Sequence, residues 1–223
     1  MNEKILLAAR KADIKTKQQF DDIEHTERIC TERVLRAFAD NRVGEAHLLG
    51  TTGYGYGDLG RETLDRIYAQ VYGTEDAFVR IQMVSGTHAI ATALFGVLRP
   101  GDQVLSITGK PYDTILPTIY KKGGGSLADF GVKFDWLDFE GELNIDKIIS
   151  AAAGKKMIYI QRSRGYSLRR SLTPGDIDRM VEAIHSKFPD LIVFVDNCYG
   201  EFVCASEPKA DLIAGSLIKN AGG

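Results

Sequence analysis

Through the first 40 residues, apolar positions (Ile5, Leu6, Ala9, Ile14, Phe20, Ile23, Ile29, Val34, Leu35 and Phe38) recur at mixed three- and four-residue steps among charges. With no Gly or Pro to interrupt it, that pattern predicts helix. Five glycines then alternate with aromatic and polar residues between Gly44 and Gly57. Each glycine costs a helix up to about 1 kcal/mol relative to alanine, so the stretch predicts a loop, and long glycine loops are commonly functional. Helical spacing returns over 61–72.

Beyond that point short β-rich runs alternate with helical ones. Strands are predicted at 77–84, 103–108, 132–139, 157–163, 191–197 and 211–218. Helices are predicted at 87–98, 113–122, 145–153 and 174–188. The last has the best punctuation: Thr173 as N-cap, Pro174 in the first turn, and Asp176 and Asp178 near its start. Strands alternating with helices predict parallel pairing through right-handed crossovers. The near-continuous apolar run LIVFV predicts a central strand buried on both sides. The expected fold class is therefore α/β, a mostly parallel, doubly wound sheet with helices on both faces and an N-terminal helical segment. KKGGGS at 121–126 reads as a solvated loop.

Composition changes this picture only by exclusion. At 223 residues there is enough chain to bury a sizeable core. Lys+Arg at 28 against Asp+Glu at 30 leaves no basic footprint for nucleic acid. No window approaches the roughly 18 apolar residues that span a membrane, and the N-terminal apolar run is too short for a signal-peptide core. A cytoplasmic protein is expected. Three cysteines (Cys30, Cys198, Cys204) without CxxC spacing suggest reduced thiols rather than a disulfide framework or zinc site. His25, His47, His88 and His185 are isolated, so no metal is expected.

In open α/β sheets, ligands sit beyond the carboxyl ends of the strands, where helix N-termini also point. Gly53-Tyr54-Gly55-Tyr56-Gly57 fails the GxGxxG spacing, and Gly101 to Lys110 fails that of a P-loop. Ser85-Gly86-Thr87 follows a predicted strand and opens a predicted helix, so it reads either as an anion cradle or as an ordinary N-cap. Asp196 closes the most apolar strand and must be paired or hydrogen-bonded, either as a loop cap or as partner to a cationic ligand group. Lys219 follows a small and apolar run. Desolvated there, it would have a lowered pKa and act as an amine nucleophile; otherwise it is a surface lysine. An anion cradle, a carboxylate for a ring nitrogen and an imine-forming amine together match pyridoxal 5'-phosphate, with Tyr112 placed to stack on its ring.

The order Ser85-Gly86-Thr87-His88-Ala89, Tyr112, Val195-Asp196-Asn197-Cys198-Tyr199 and Ser216-Leu217-Ile218-Lys219 resembles the large domain of fold-type-I pyridoxal-phosphate enzymes of the cysteine and methionine metabolism group. More narrowly, GYGYGDLGRETLDRIYAQVYGTEDAFVRIQMVSGTHAI and DLIAGSLIKNAGG resemble methionine gamma-lyase-like proteins, often labelled aluminium-resistance proteins or cystathionine beta-lyases. The resemblance implies Lys219 as the Schiff-base lysine, Asp196 as the pyridinium partner and Tyr112 as the stacking aromatic, these three being the catalytic set. Ser85, Gly86, Thr87 and Ser216 are implied as phosphate ligands. It implies that Tyr54 and Tyr56 reach a partner's site in a homodimer or homotetramer. Residues 1–60 then form a helical segment and dimer-contact loop, and 61–223 the cofactor-binding large domain. Such proteins continue past the lysine into a small domain carrying the arginine for the substrate carboxylate, whereas this chain stops four residues after Lys219. Arg162, Arg164, Arg169 and Arg170 are the cations left near a strand end. The implied activity is carbon–sulfur lyase chemistry on an amino-acid substrate by β- or γ-elimination. An aminotransferase and a non-catalytic α/β interaction fragment are the alternatives.

Overall fold

In the computed structural model, residues 2–51, 56–139 and 141–220 are described. A long helix, α1 (Glu3–Asp40), leads through a 3-10 turn (Glu45–His47) into α2 (Leu59–Tyr72) and α3 (Gly86–Val97). The chain then alternates: β1 (Gln103–Ser106), α4 (Leu116–Tyr120), β2 (Lys133–Trp136), α5 (Ile145–Ala152), β3 (Met157–Gln161), α6 (Pro174–His185), β4 (Ile192–Asp196) and β5 (Leu212–Ala214). The five strands form one sheet in the order β2-β1-β3-β4-β5, and every pairing is parallel.

Local chemistry sets the helix ends. Asp58 accepts the Arg61 N–H to start α2, which closes on Gly73 in the left-handed conformation (φ 70°). Ser85 caps α3 and Asn144 caps α5. At α6 the expected Thr173 N-cap forms a full capping box with Asp176.

Two apolar cores sandwich the sheet. Ile90 and Leu94 of α3, Ile119 of α4 and Ile115 just before α4 pack with Phe134, Tyr159 and Phe194 on one face. Ile148, Ile177, Met180 and Ile184 from α5 and α6 pack with Leu105, Ile158, Ile160 and Val195 on the other. Alternate side chains of β3 and β4 feed opposite cores, as the period-2 geometry of a strand requires. This is the doubly wound α/β architecture read from the sequence. A smaller cluster joins Ala37 of α1 to Ile67, Val71 and Tyr72 of α2. The earlier part of α1 leaves Ile5, Ile14, Phe20 and Ile23 exposed.

The strand expected at 77–84 does not form. A strand needs a ladder partner, and here the backbone is captured instead by α2: Asp65 Oδ1 accepts the Val79 N–H at 2.7 Å and pairs with the Arg80 guanidinium at 2.7 Å. Met83 N–H then turns back to the Arg80 carbonyl, leaving Phe78, Ile81 and Val84 exposed. The strand expected over 211–218 stops at Ala214. Past that point the Ser216 N–H goes to the Glu201 carboxylate rather than to a neighbouring strand.

Candidate functional site

The carboxyl edge of the sheet gathers the singled-out residues. Gln161, Asp196 and Ala214 lie side by side in register at the ends of β3, β4 and β5. Ser85 begins α3 in front of them, and Gly86 is in direct contact with the loops beyond β4 and β5. A β-carbon on Gly86 would meet Cys198 Sγ at 2.8 Å and Ser216 Cβ at 3.1 Å. Three segments far apart in the chain therefore meet at one point.

Asp196 is buried. Its Oδ1 accepts the Cys198 N–H at 3.1 Å and its Oδ2 accepts the Tyr159 hydroxyl at 3.0 Å. Burial pushes its carboxyl above the usual aspartate value, because no cation among the described residues pairs with it. Charge at this spot is incomplete without a positive partner. Cys198, next to it, is driven the same way by burial, so its thiol is no nucleophile.

The cradle is built from hydroxyls and one close backbone approach. Ser85 Oγ accepts the His88 N–H at 3.1 Å, which leaves its own O–H free to donate. Thr87 Oγ1 bonds Thr114 Oγ1 at 3.3 Å, tying the first turn of α3 to the loop that carries Tyr112. Ser216 is buried and held by Glu201 Oε1 at 2.5 Å. Tyr112 is half-buried, and its backbone N–H donates to Gln161 Oε1 at 2.8 Å. Its ring lies 5.4 Å from that of Tyr166, whose hydroxyl pushes the Tyr112 phenol up to about 12.

Of the two readings the sequence left open for Lys219, the structure takes the surface one. The residue is exposed, its Nζ donates to Tyr199 Oη at 3.0 Å, and that bond holds the ammonium above the ordinary lysine range. The lowered pKa that desolvation would bring is absent, because β5 ends five residues before the lysine. Tyr56 is exposed at 91% and touches none of these groups in the described contacts. Tyr54 lies outside the described residues.

The four arginines are sorted by their partners. Arg162 is buried and bonds Glu207, Asn197 and two carbonyls, making it part of the frame. Arg169 donates to the carbonyls of Gln161, Ser163 and Arg170. Arg170 pairs with Asp176. Arg164 is exposed, and its guanidinium has no partner among the described residues.

Sequence reasoning missed Tyr159, Gln161 and Glu201, whereas Tyr199 stood in the motif that follows Asp196. A phenol inside the aliphatic run MIYIQ was a usable signal, since a buried tyrosine needs a partner for its hydroxyl. Glu201 had none. It is fully buried and burial pushes its carboxyl up. Only folding reveals that it braces Ser216. Among the described residues, no group of three or more His, Cys, Asp or Glu is arranged to hold a metal, and no helix is long and apolar enough to cross a membrane.

Comparison with known proteins adds a family context. A family profile described as Methionine gamma-lyase matches residues 5–223. The chain is 50% identical over 200 residues to an uncharacterized Bacillus subtilis protein, YnbB, covering 86% of this chain and 48% of that one. A Listeria innocua structure described as involved in aluminum resistance aligns at TM-score 0.93 with 46% identity, over 100% of this chain and 56% of that one. A carbon-sulfur lyase involved in aluminum resistance from Clostridium novyi NT aligns at TM-score 0.91 with 40% identity, over 98% and 54%. The chain thus spans about half the length of the relatives it matches.

Proposed function

Because this chain belongs to the methionine gamma-lyase family, we propose that it forms the cofactor-binding part of a cytoplasmic, pyridoxal-phosphate-dependent carbon–sulfur lyase acting on a sulfur amino acid. The observation that carries the reading is the meeting at Gly86 of the α3 N-terminus, the loop after Asp196 and the segment leading to Lys219.

The donor set fits the group. Ser85, Thr87 and Ser216 offer hydroxyls and Gly86 an open backbone to a phosphate at a helix N-terminus. Asp196 supplies the buried carboxylate that lacks a cation, matching a protonated ring nitrogen. Tyr112 offers a ring face and Lys219 an amine. Bound there, pyridoxal phosphate supplies an electron sink for the carbanion left when an amino acid loses its α-proton. Lys219 is then the base that moves that proton at the substrate Cα. Asp196 keeps the ring nitrogen protonated by making loss of that proton costly in a buried site. Of those four arginines, Arg164 is the one whose guanidinium, without a partner among the described residues, is left to meet an anionic substrate group. The same proposal has a second copy completing the site through Tyr54 and Tyr56, and the uncovered apolar side of α1 suits burial in such an assembly.

Titration of the purified chain with pyridoxal phosphate tests the reading. A visible absorbance band should develop in the wild type and be missing in Lys219→Ala. Release of a thiol and ammonia from cystathionine or methionine then distinguishes elimination from amino-group exchange. A wild-type chain that develops no band at saturating cofactor overturns the proposal.

A further inference from the structure

The nitrogen of Lys219 is held by one side chain in two ways. Tyr199 Oη accepts from Nζ at 3.0 Å, and the centroid of the same ring lies 4.6 Å from that nitrogen, a hydrogen-bond acceptor and a π face together. Tyr199 reaches this position through a disfavoured backbone. Its φ of 67° lies in the left-handed region, where a bulky side chain is crowded. Asn220, next to the lysine, donates from Nδ2 to the Tyr199 carbonyl at 2.9 Å. The lysine segment and the tyrosine segment are thus fastened to each other twice, three residues beyond Asp196.

We propose that Tyr199 is a positioning residue for Lys219, parking its ammonium at the mouth of the site and setting how readily that nitrogen sheds its proton to become a nucleophile. The inference deepens the lyase reading and rests on it for its role in catalysis. Three groups act on the amine: the Tyr199 hydroxyl, which dominates, and the Cys198 and Glu201 side chains. All three favour the charged form; burial opposes them, second in weight only to the Tyr199 hydrogen bond. Removal of the hydroxyl therefore lowers the lysine pKa and raises the fraction of neutral amine at a given pH.

The test uses the chain without cofactor. Trinitrobenzenesulfonate labels only neutral amines: the nitrogen bonds the ring carbon, sulfite departs with the carbon–sulfur electron pair, and a proton is released. Labelling of the peptide that carries Lys219 is followed by mass spectrometry across pH, with Lys11 on the exposed helix as internal control. Tyr199→Phe keeps the ring and loses the acceptor. It should shift the Lys219 curve to lower pH, with labelling at pH 8 about threefold faster, while Lys11 is unmoved. Tyr199→Leu, which loses the ring as well, should shift it further. If Tyr199→Phe does not fold, Asn220→Ala, which frees the Tyr199 carbonyl, should move the curve in the same direction. Identical Lys219 curves in wild type and Tyr199→Phe overturn the proposal. Parallel samples treated with pyridoxal phosphate and borohydride separate the two readings. A wild type that takes no pyridoxyl group on Lys219 defeats the lyase assignment, whereas the labelling curves still judge Tyr199.

Discussion

Alanine at position 86 asks the most of the proposed site. A β-carbon there lies 2.8 Å from Cys198 Sγ, 3.1 Å from Ser216 Cβ and 3.4 Å from Ser216 Oγ. Comfortable carbon contacts begin near 3.5 Å, so the sulfur must retreat by roughly 0.7 Å. Neither neighbour is free to move: the Cys198 N–H is bonded to Asp196 and the Ser216 N–H to Glu201. Overpacking of this kind costs about 1–3 kcal/mol. Better helix propensity returns up to about 1 kcal/mol, less at a first-turn position. A net loss of about 1–2 kcal/mol follows, or roughly 2–8 °C in Tm for a chain of this size. Thermal and urea melts of Gly86→Ala, Cys198→Ala and the double variant form the assay. Removing the sulfur should recover part of the loss, with a coupling of about 1 kcal/mol. If Gly86→Ala melts at or above wild type, or the pair is additive within about 0.3 kcal/mol, the three segments do not meet as described.

Three further outcomes are expected. Asp196→Asn should raise the melting temperature of the cofactor-free chain at neutral pH while abolishing the cofactor band. The buried carboxyl has a raised pKa, so its penalty is present at high pH and fades as pH falls toward the ordinary aspartate value of 3.8; a lower melting temperature for the variant at pH 8 contradicts this. Asp176 is the opposite case. Its bond to Arg170, with help from Thr173, holds its carboxyl well below the usual range. The stability it contributes is full above 3.8 and is lost as pH falls toward the folded value, so melts of Asp176→Asn should trail wild type at pH 7 and converge with it in strong acid. Glu207→Gln removes the charge facing buried Arg162 at 3.1 Å and Arg33 at 3.6 Å and should cost about 3–5 kcal/mol in a urea melt, a loss below 1 kcal/mol being evidence against a buried ion-pair cluster.

The legible parts of the molecule were those whose cause is local. The N-cap at Thr173 needs only a few consecutive residues and formed as read, Asp176 closing it into a capping box. The parallel pairing of the strands follows from apolar runs separated by amphipathic ones, since strands joined by crossover helices run the same way. Residues 77–84 failed for the converse reason. Their strand-like pattern was real, but a strand is defined by its neighbour, and Asp65 of α2 took the backbone N–H that a ladder would have used. The site divides the same way. Asp196 announced itself as an acid closing an apolar strand, whereas Tyr159, 37 positions earlier, became its partner only through the register of β3 on β4.

Residue chemistry and spacing alone settled the class of this protein: alternating elements, a doubly wound sheet, and polar groups delivered to one edge. Folding alone decided which of those groups meet and what surroundings bear on their ionisation. Lys219 is the clearest instance. Its apolar neighbours in the chain left a desolvated amine and a surface lysine both open; β5 ends at Ala214 and the nitrogen finds Tyr199 in the open. A pKa is a property of the dielectric and charges within a few ångströms. Those surroundings come from residues distant in the chain, which no local pattern encodes.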